Sequence, residues 1–419
     1  MHKEDLKFIK NNNDYFSIQV FFPIGSIHEK NGKFGISHLL EHMKFKNTKK
    51  YNNFTKILED KSIISNAYTT KDHTSYYIRG LKNDWDEIIE LMYELLFNTK
   101  IDNKGLNKEK NIISEEFYLN NVSIPINDDD FDLYSEVSLF NKKNPYNRKV
   151  IGKLENIKNI TVKDLKDYNK LYLRDYIVVI CCNNNLIKKV TNKCIKLFPK
   201  SEKKDNLNVK NTDLFDYSLI IRDLPLKQTK YFITFNISNI DNDIYYIDFI
   251  KYMLTGNRNG LLYKELRINK GYIYSIESNN ETYKDSSFFR IIFSSTSKNT
   301  IEIIKMIFNI IKNLKKELYN HKTLQKFKNK FITFNKFLLK NNNNYFITNF
   351  GRLIYYNRGL TIDKYNNSIK NLDNINFKKI VNGIFNFNKM GITIYGNINN
   401  INKTTENIIK LIDENKDNE

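Results

Sequence analysis

The sequence predicts an α+β chain of two homologous halves. Three observations carry that expectation. Strand-like and helix-like periodicities occur in both halves without strict alternation, which disfavours a doubly wound parallel sheet. The order of elements in the first half returns in the second at an offset of about 212 residues, as two copies of one domain would. A polar stretch near the middle separates the copies.

Residues 15–25 and 63–81 alternate or cluster apolar side chains as strands do, whereas 82–100 and 104–122 space them as helices do. Residues Ile157 to Leu165 then read IKNITVKDL. An amphipathic stretch follows, then an apolar strand Ile177 to Ile180, the run Asn183 to Asn185, and a helix-like segment to Phe198. The series returns from Ile369 (IKNLDNINFKKI), through Gly391 to Tyr395 (GITIY) and Gly396-Asn397, to a helix-like segment ending at Ile412. Between the copies, Lys200 to Thr212 (KSEKKDNLNVKNT) follows Pro199 and reads as a linker. The expected organisation is an N-terminal domain over 1–199, a linker over 200–213 and a C-terminal domain over 214–419. Within the second half, strands are expected near 217–224, 228–237, 271–279 and 286–296. A long helical stretch runs from about Asn299 to Leu339, and the run Asn341 to Asn344 reads as a surface turn.

Composition limits the function classes. With 41% hydrophobic and 14% aromatic residues over 419 positions, the chain can bury a sizeable core and is not a disordered polymer. The net charge of +20 invites a nucleic-acid reading, but 58 of the 67 basic residues are Lys and only 9 are Arg. Base readers favour the planar fork of Arg, and Lys, Asn and Ile rise together in AT-rich coding, so no nucleic-acid partner is expected. Three cysteines (Cys181, Cys182, Cys194) crowd one short stretch and form no disulfide framework, and Cys181 and Cys182, in a predicted strand, read as buried small hydrophobes. No apolar run approaches about 18 residues, so no membrane span is expected. Met1 to Asn13 carries neither a secretory nor an Arg-rich leader pattern. A cytoplasmic or other reducing intracellular compartment fits these features.

The chemistry concentrates in Gly35-Ile36-Ser37-His38-Leu39-Leu40-Glu41-His42-Met43. The spacing H-x-x-E-H places His38 and His42 one helical turn apart on one face, with Glu41 beside both. Two imidazoles so placed can hold one Zn²⁺, and the neighbouring carboxylate can take a proton from an activated water. A catalytic zinc needs a third protein ligand from another element. Glu109, Glu115 and Glu116 supply acidic candidates on a predicted helix. Glu109 and Glu116 share a face two turns apart, and spacing does not choose between Glu115 and Glu116. Elsewhere, His28, His73 and His321 lack motif partners and read as ordinary surface or loop residues.

H-x-x-E-H followed some seventy residues later by E-x6-E resembles the M16 metallopeptidases, the family of pitrilysin, insulysin and the mitochondrial processing peptidases. The resemblance runs through most of the chain. It takes in Gly25-Ser26, Lys44 to Thr48, Asn66 to Thr69 with Thr74 to Tyr77, Asn144 to Gly152, and Leu266-Arg267 with Gly271 to Ser275. It implies one Zn²⁺ per chain on His38, His42 and Glu116, with Glu41 as general base and Glu109 as a carboxylate supporting the site. It implies that Asn66, Ala67, Tyr68 and Thr69 form an edge strand for substrate backbone. It also implies that Arg267 and Tyr274 of the second half help stabilise the developing oxyanion. The implied fold is a mixed, mostly antiparallel sheet with helices packed on one face in each half, and the implied activity is hydrolysis of extended, unfolded peptides. A clamshell of this family uses four such domains, so a chain with two is expected to pair, most simply with a second copy, a heterodimer being the other form.

Overall fold

A computed structural model describes residues 1–10, 14–122, 144–202, 217–238, 244–284, 286–316, 321–341, 351, 354–355 and 362–416. Residues 203–213 of the expected linker, and Asn342 to Asn344, lie outside these described residues. The described residues of 1–131, 148–210 and 338–361 make one compact unit, and those of 132–147, 211–337 and 362–419 a second.

The first unit is built on five strands: β1 (Leu6–Lys10), β2 (Tyr15–Phe22), β3 (Ile64–Thr69), β4 (Thr74–Leu81) and β5 (Ile177–Cys182). Their order is β1-β5-β2-β4-β3, with β1 parallel to β5 and every other neighbour antiparallel. The second unit repeats this plan with β6 (Tyr217–Asp223), β7 (Thr229–Asn236), β8 (Ile273–Thr282), β9 (Ser287–Ser295) and β10 (Met390–Gly396). Its order is β6-β10-β7-β9-β8, again with one parallel pair, β6 with β10, at one end. The fold is thus α+β, as the periodicities predict, and it is built on two mixed five-stranded sheets. β1 went unread in the sequence because LKFIK looks polar. It is an edge strand, where water on one side tolerates lysine and a full apolar alternation is unnecessary.

Helices α1 (Ile36–Lys44), α2 (Phe54–Asp60), α3 (Trp85–Phe97), α4 (Asn103–Val122), α5 (Leu154–Asn159), α6 (Val162–Tyr172) and α7 (Ile187–Leu197) complete the first unit. The period-two pattern of β2 sends Phe16, Ile18, Val20 and Phe22 into a core shared with Tyr76 and Ile78 of β4 and with Leu39, Leu40 and Met43 of α1. There Phe22 stacks on Tyr172 with ring centroids 4.4 Å apart. On the opposite face of β2, Phe21 stacks on Tyr355 at 5.3 Å.

The second unit carries α8 (Ile244–Thr255), α9 (Leu261–Tyr263), α10 (Thr300–Lys315), α11 (His321–Asn341), α12 (Ile362–Asn371), α13 (Asn374–Ile384) and α14 (Ile401–Asp413). The long helical stretch of the sequence is therefore two helices, the first ending where Lys316 N–H bonds Lys312 O. The repeated segments IKNITVKDL and IKNLDNINFKKI fold alike. Each caps its second helix at the matching position: Thr161 Oγ1 accepts from Asp164 N, and Asp373 Oδ1 from Asn376 N. No described helix is long and apolar enough to cross a membrane. Cys181, Cys182 and Cys194 are buried and form no disulfide.

Candidate metal centre

The helix α1 is positioned before any metal is considered. Ile36, Leu39, Leu40 and Met43, at i, i+3, i+4 and i+7, are all buried. Each contributes about 1.5–3 kcal/mol of apolar burial. That stripe fixes the rotation of the helix and leaves His38, Glu41 and His42 on the other side.

Its N-terminus is held by a buried carboxylate. Glu29 Oε2 accepts from Gly35 N at 2.7 Å and Glu29 Oε1 from Ser37 N at 2.9 Å, so two of the free N–H groups of the first turn are satisfied. Burial pushes the Glu29 carboxyl up to about 7 despite those bonds. Gly35 itself has φ 98°, a left-handed conformation, and a side chain there would strike Ile151 O at 2.7 Å. At the other end Lys44, fully buried, donates to Leu96 O at 2.6 Å near the C-terminus of α3.

α4 crosses α1 and brings its acidic residues into place. His42 Nε2 lies 3.7 Å and His38 Nε2 3.9 Å from Glu116 Oε2. One ligand atom from each of the three residues falls within a 4.8 Å span. Ligands of a tetrahedral zinc lie about 3.3 Å apart, given bonds near 2.0–2.2 Å, so a small contraction would close the set. Glu115, one residue earlier, is exposed. Burial, with the neighbouring His42 adding to it, pulls the His38 imidazole down to about 3, and its Nδ1 is buried without a hydrogen bond. His38 is therefore held neutral, the form in which an imidazole ligates.

His42 is oriented from behind. Its Nδ1 lies 3.1 Å from Glu109 Oε2, and Lys46 Nζ lies 2.8 Å from Glu109 Oε1. With the Nδ1 proton on Glu109, Nε2 keeps its lone pair toward Glu116. Burial works against a charged His42, but the Glu109 bond and the surrounding carboxylates raise its pKa overall. Burial likewise works against the Glu109 carboxylate, and the bonds from His42 and Lys46 outweigh it and lower its pKa. The donor set, two imidazoles and a carboxylate with a carboxylate behind one imidazole, fits zinc.

Glu41 sits beside this group. Burial raises its pKa, opposed chiefly by a hydrogen bond from Thr69 Oγ1 to Glu41 Oε2 at 2.5 Å. Thr69 ends β3, so the strand expected to receive substrate touches the expected base directly. Asn66, Ala67 and Tyr68 precede it on the same strand, which is the edge of its sheet.

In the second unit, Arg267 lies over the Tyr274 ring at 4.3 Å and the Tyr263 ring at 5.6 Å. Both partners occupy irregular backbone. Arg267 sits in a π-helical turn, Lys264–Asn269, and Tyr274 in a register shift between Ile273 and Ile276 of β8. Tyr274 is 76% exposed. His73 departs from the surface reading. It lies in the β3–β4 turn but is buried, with Nδ1 bonded to Thr70 Oγ1 and Asp72 Oδ1. Glu29 and Lys46 were not singled out in the sequence. Lys46 stands among 58 lysines, and Glu29 has no spacing relative to α1 that marks it as a cap.

Comparison with known proteins gives two family matches. Residues 8–124 match "Insulinase (Peptidase family M16)", and residues 159–331 match "Peptidase M16 inactive domain". The chain belongs to peptidase family M16. Among M16 relatives, the zinc protease PqqE of Helicobacter pylori is 31% identical over 166 residues, 39% of this chain and 37% of that protein. The uncharacterized zinc protease YmxG of Bacillus subtilis is 26% identical over 313 residues, 74% of this chain and 75% of that protein. The mitochondrial-processing peptidase subunit beta of Saccharomyces cerevisiae is 32% identical over 166 residues, 39% of this chain and 35% of that protein. The match thus spans little more than a third of the PqqE and yeast chains. In solved structures the M16 fold recurs nearly whole. A protease from Helicobacter pylori superposes with a TM-score of 0.78 at 20% identity, covering 93% of this chain and 96% of that one. An M16 inactive domain from Pseudomonas fluorescens gives 0.78 at 16%, covering 93% and 95%.

Proposed function

We propose that this chain is a zinc-dependent endopeptidase acting on extended, unfolded peptides. The observation that carries the reading is the convergence of His38, His42 and Glu116 with Glu41 beside them and the end of an edge strand bonded to Glu41. A zinc ion held by His38, His42 and Glu116 supplies Lewis-acid polarisation and brings water to a usable acidity near neutral pH.

The chain's own residues do the rest. Glu41 accepts a proton from the attacking water and returns it to the leaving amine. Its burial and raised pKa suit a group that must both take and give a proton. Glu109 keeps the Nδ1 proton of His42 in place, and Lys46 holds Glu109. The open edge of β3 over Asn66 to Thr69 pairs with the backbone of an extended peptide, a mode that excludes folded protein. Arg267 and Tyr274 donate to the carbonyl oxygen as it gains charge.

A second copy of the chain is the proposed partner, completing a chamber from four such domains. A non-catalytic subunit of a heteromeric peptidase is the other reading. Some relatives are named as subunits of complexes, among them cytochrome b-c1 complex subunit 1 of Rattus norvegicus. The complete set His38, Glu41, His42 and Glu116 favours catalysis. The test is peptide cleavage by Glu41→Gln with zinc retained. Loss of cleavage supports the reading, and unchanged cleavage overturns the mechanism.

A further inference from the structure

β3 is the last strand of its sheet, so one side of its backbone has no strand beside it. Antiparallel pairing fixes which residues face that side. Thr70 N donates to His73 O at 2.8 Å, closing the turn into β4. Residues of the same parity, Ile64, Asn66 and Tyr68, therefore turn their N–H and C=O groups toward β4. Ser65, Ala67 and Thr69 turn theirs to the open edge. The Asn66 side chain agrees, because its Oδ1 accepts from the outward Ala67 N at 2.8 Å. Two residues further on, the Thr69 hydroxyl donates to Glu41 Oε2 at 2.5 Å.

One strand thus presents, in fixed register and about 7 Å apart, the outward carbonyl of Ala67, whose N–H is held by Asn66 Oδ1, and the hydroxyl that holds the base. We propose that Thr69 is a positioning residue that locks the Glu41 carboxylate to the register of a peptide paired along β3. A carboxylate pinned at Oε2 does not swing freely about its last bond, so its other oxygen keeps one direction in which to take a proton. The peptide is placed from the same strand, through Ala67.

This inference rests on the peptidase reading above, and its test separates the two. Wild type, Glu41→Gln, Thr69→Val and Thr69→Ser are compared on one unfolded peptide for kcat, KM and bound zinc. The affinity of uncleaved peptide is measured in Glu41→Gln with and without Thr69→Val. Thr69→Val removes the hydroxyl at nearly constant shape, and Thr69→Ser keeps it. The expected result is a fall in kcat of about 10- to 100-fold for Thr69→Val, the scale of a misplaced catalytic group. KM, peptide affinity and zinc stay unchanged, and Thr69→Ser retains kcat within a few-fold. Wild-type kcat in Thr69→Val, an equal loss in Thr69→Ser, or a loss confined to KM would overturn the proposal. If Thr69→Val does not fold, Thr69→Ala against Thr69→Ser at equal zinc gives the same comparison. A wild-type chain that holds zinc and cleaves nothing overturns the underlying peptidase reading instead, a result no Thr69 variant can produce.

Discussion

Glu109 illustrates how a side chain outside the donor set can govern it. It is buried, bonded to His42 Nδ1 on one oxygen and paired with Lys46 on the other. Removing it frees the His42 ring to rotate and to change tautomer, and leaves a half-exposed Lys46 that water can satisfy. Glu109→Ala should therefore lower zinc affinity about 10- to 100-fold, read by competition with a chelator, while the fold persists. Affinity equal to wild type would show that α1 packing alone orients His42. His38, Glu41 and His42 were legible from sequence because their geometry is local: i, i+3 and i+4 on one helix decide it. The proposed third ligand was not local. Only the crossing of α4 over α1 separates Glu116 from the exposed Glu115, and helical spacing within α4 carries no information about that crossing.

At the level of elements, the centre depends on how the start of α1 is held. Glu29 caps that start, and burial lifts its pKa from 4.5 to about 7. The unfolded chain releases this proton near 4.5 and the folded chain only near 7. Between those values the folded state holds the extra proton, so stability falls as pH rises and levels off above the folded pKa. The slope is at most about 1.4 kcal/mol per pH unit. Denaturant unfolding of wild type and Glu29→Gln across pH 4.5 to 8 should show this decline in wild type and its absence in the variant. Parallel curves would place the Glu29 titration elsewhere. Strands with strong apolar runs, such as β5, were readable in advance, as was the repeated segment that carries Thr161 and Asp373. β1 was not, because an edge strand beside water carries a weak pattern.

The whole molecule is a repeat in which, among the described residues, the His38, His42 and Glu116 group lies in the first copy. Its two sheets share one strand order, yet only the first has H-x-x-E-H. The half-length repeat in the sequence foretold the shared order. The +20 charge foretold nothing of the site, because its lysines are spread along the whole chain. The proposed pairing of two chains predicts a dimer by light scattering at working concentration, and a monomer there would contradict it. The central claim, a zinc-dependent proton-transfer site on α1, is tested most directly by one comparison. Cleavage of a single unfolded peptide is measured for wild type and Glu41→Gln, each loaded to one zinc per chain. The account predicts cleavage by wild type, abolished on chelation and restored by zinc, and loss of at least about 100-fold in Glu41→Gln. Equal cleavage by the two zinc-loaded chains would contradict it.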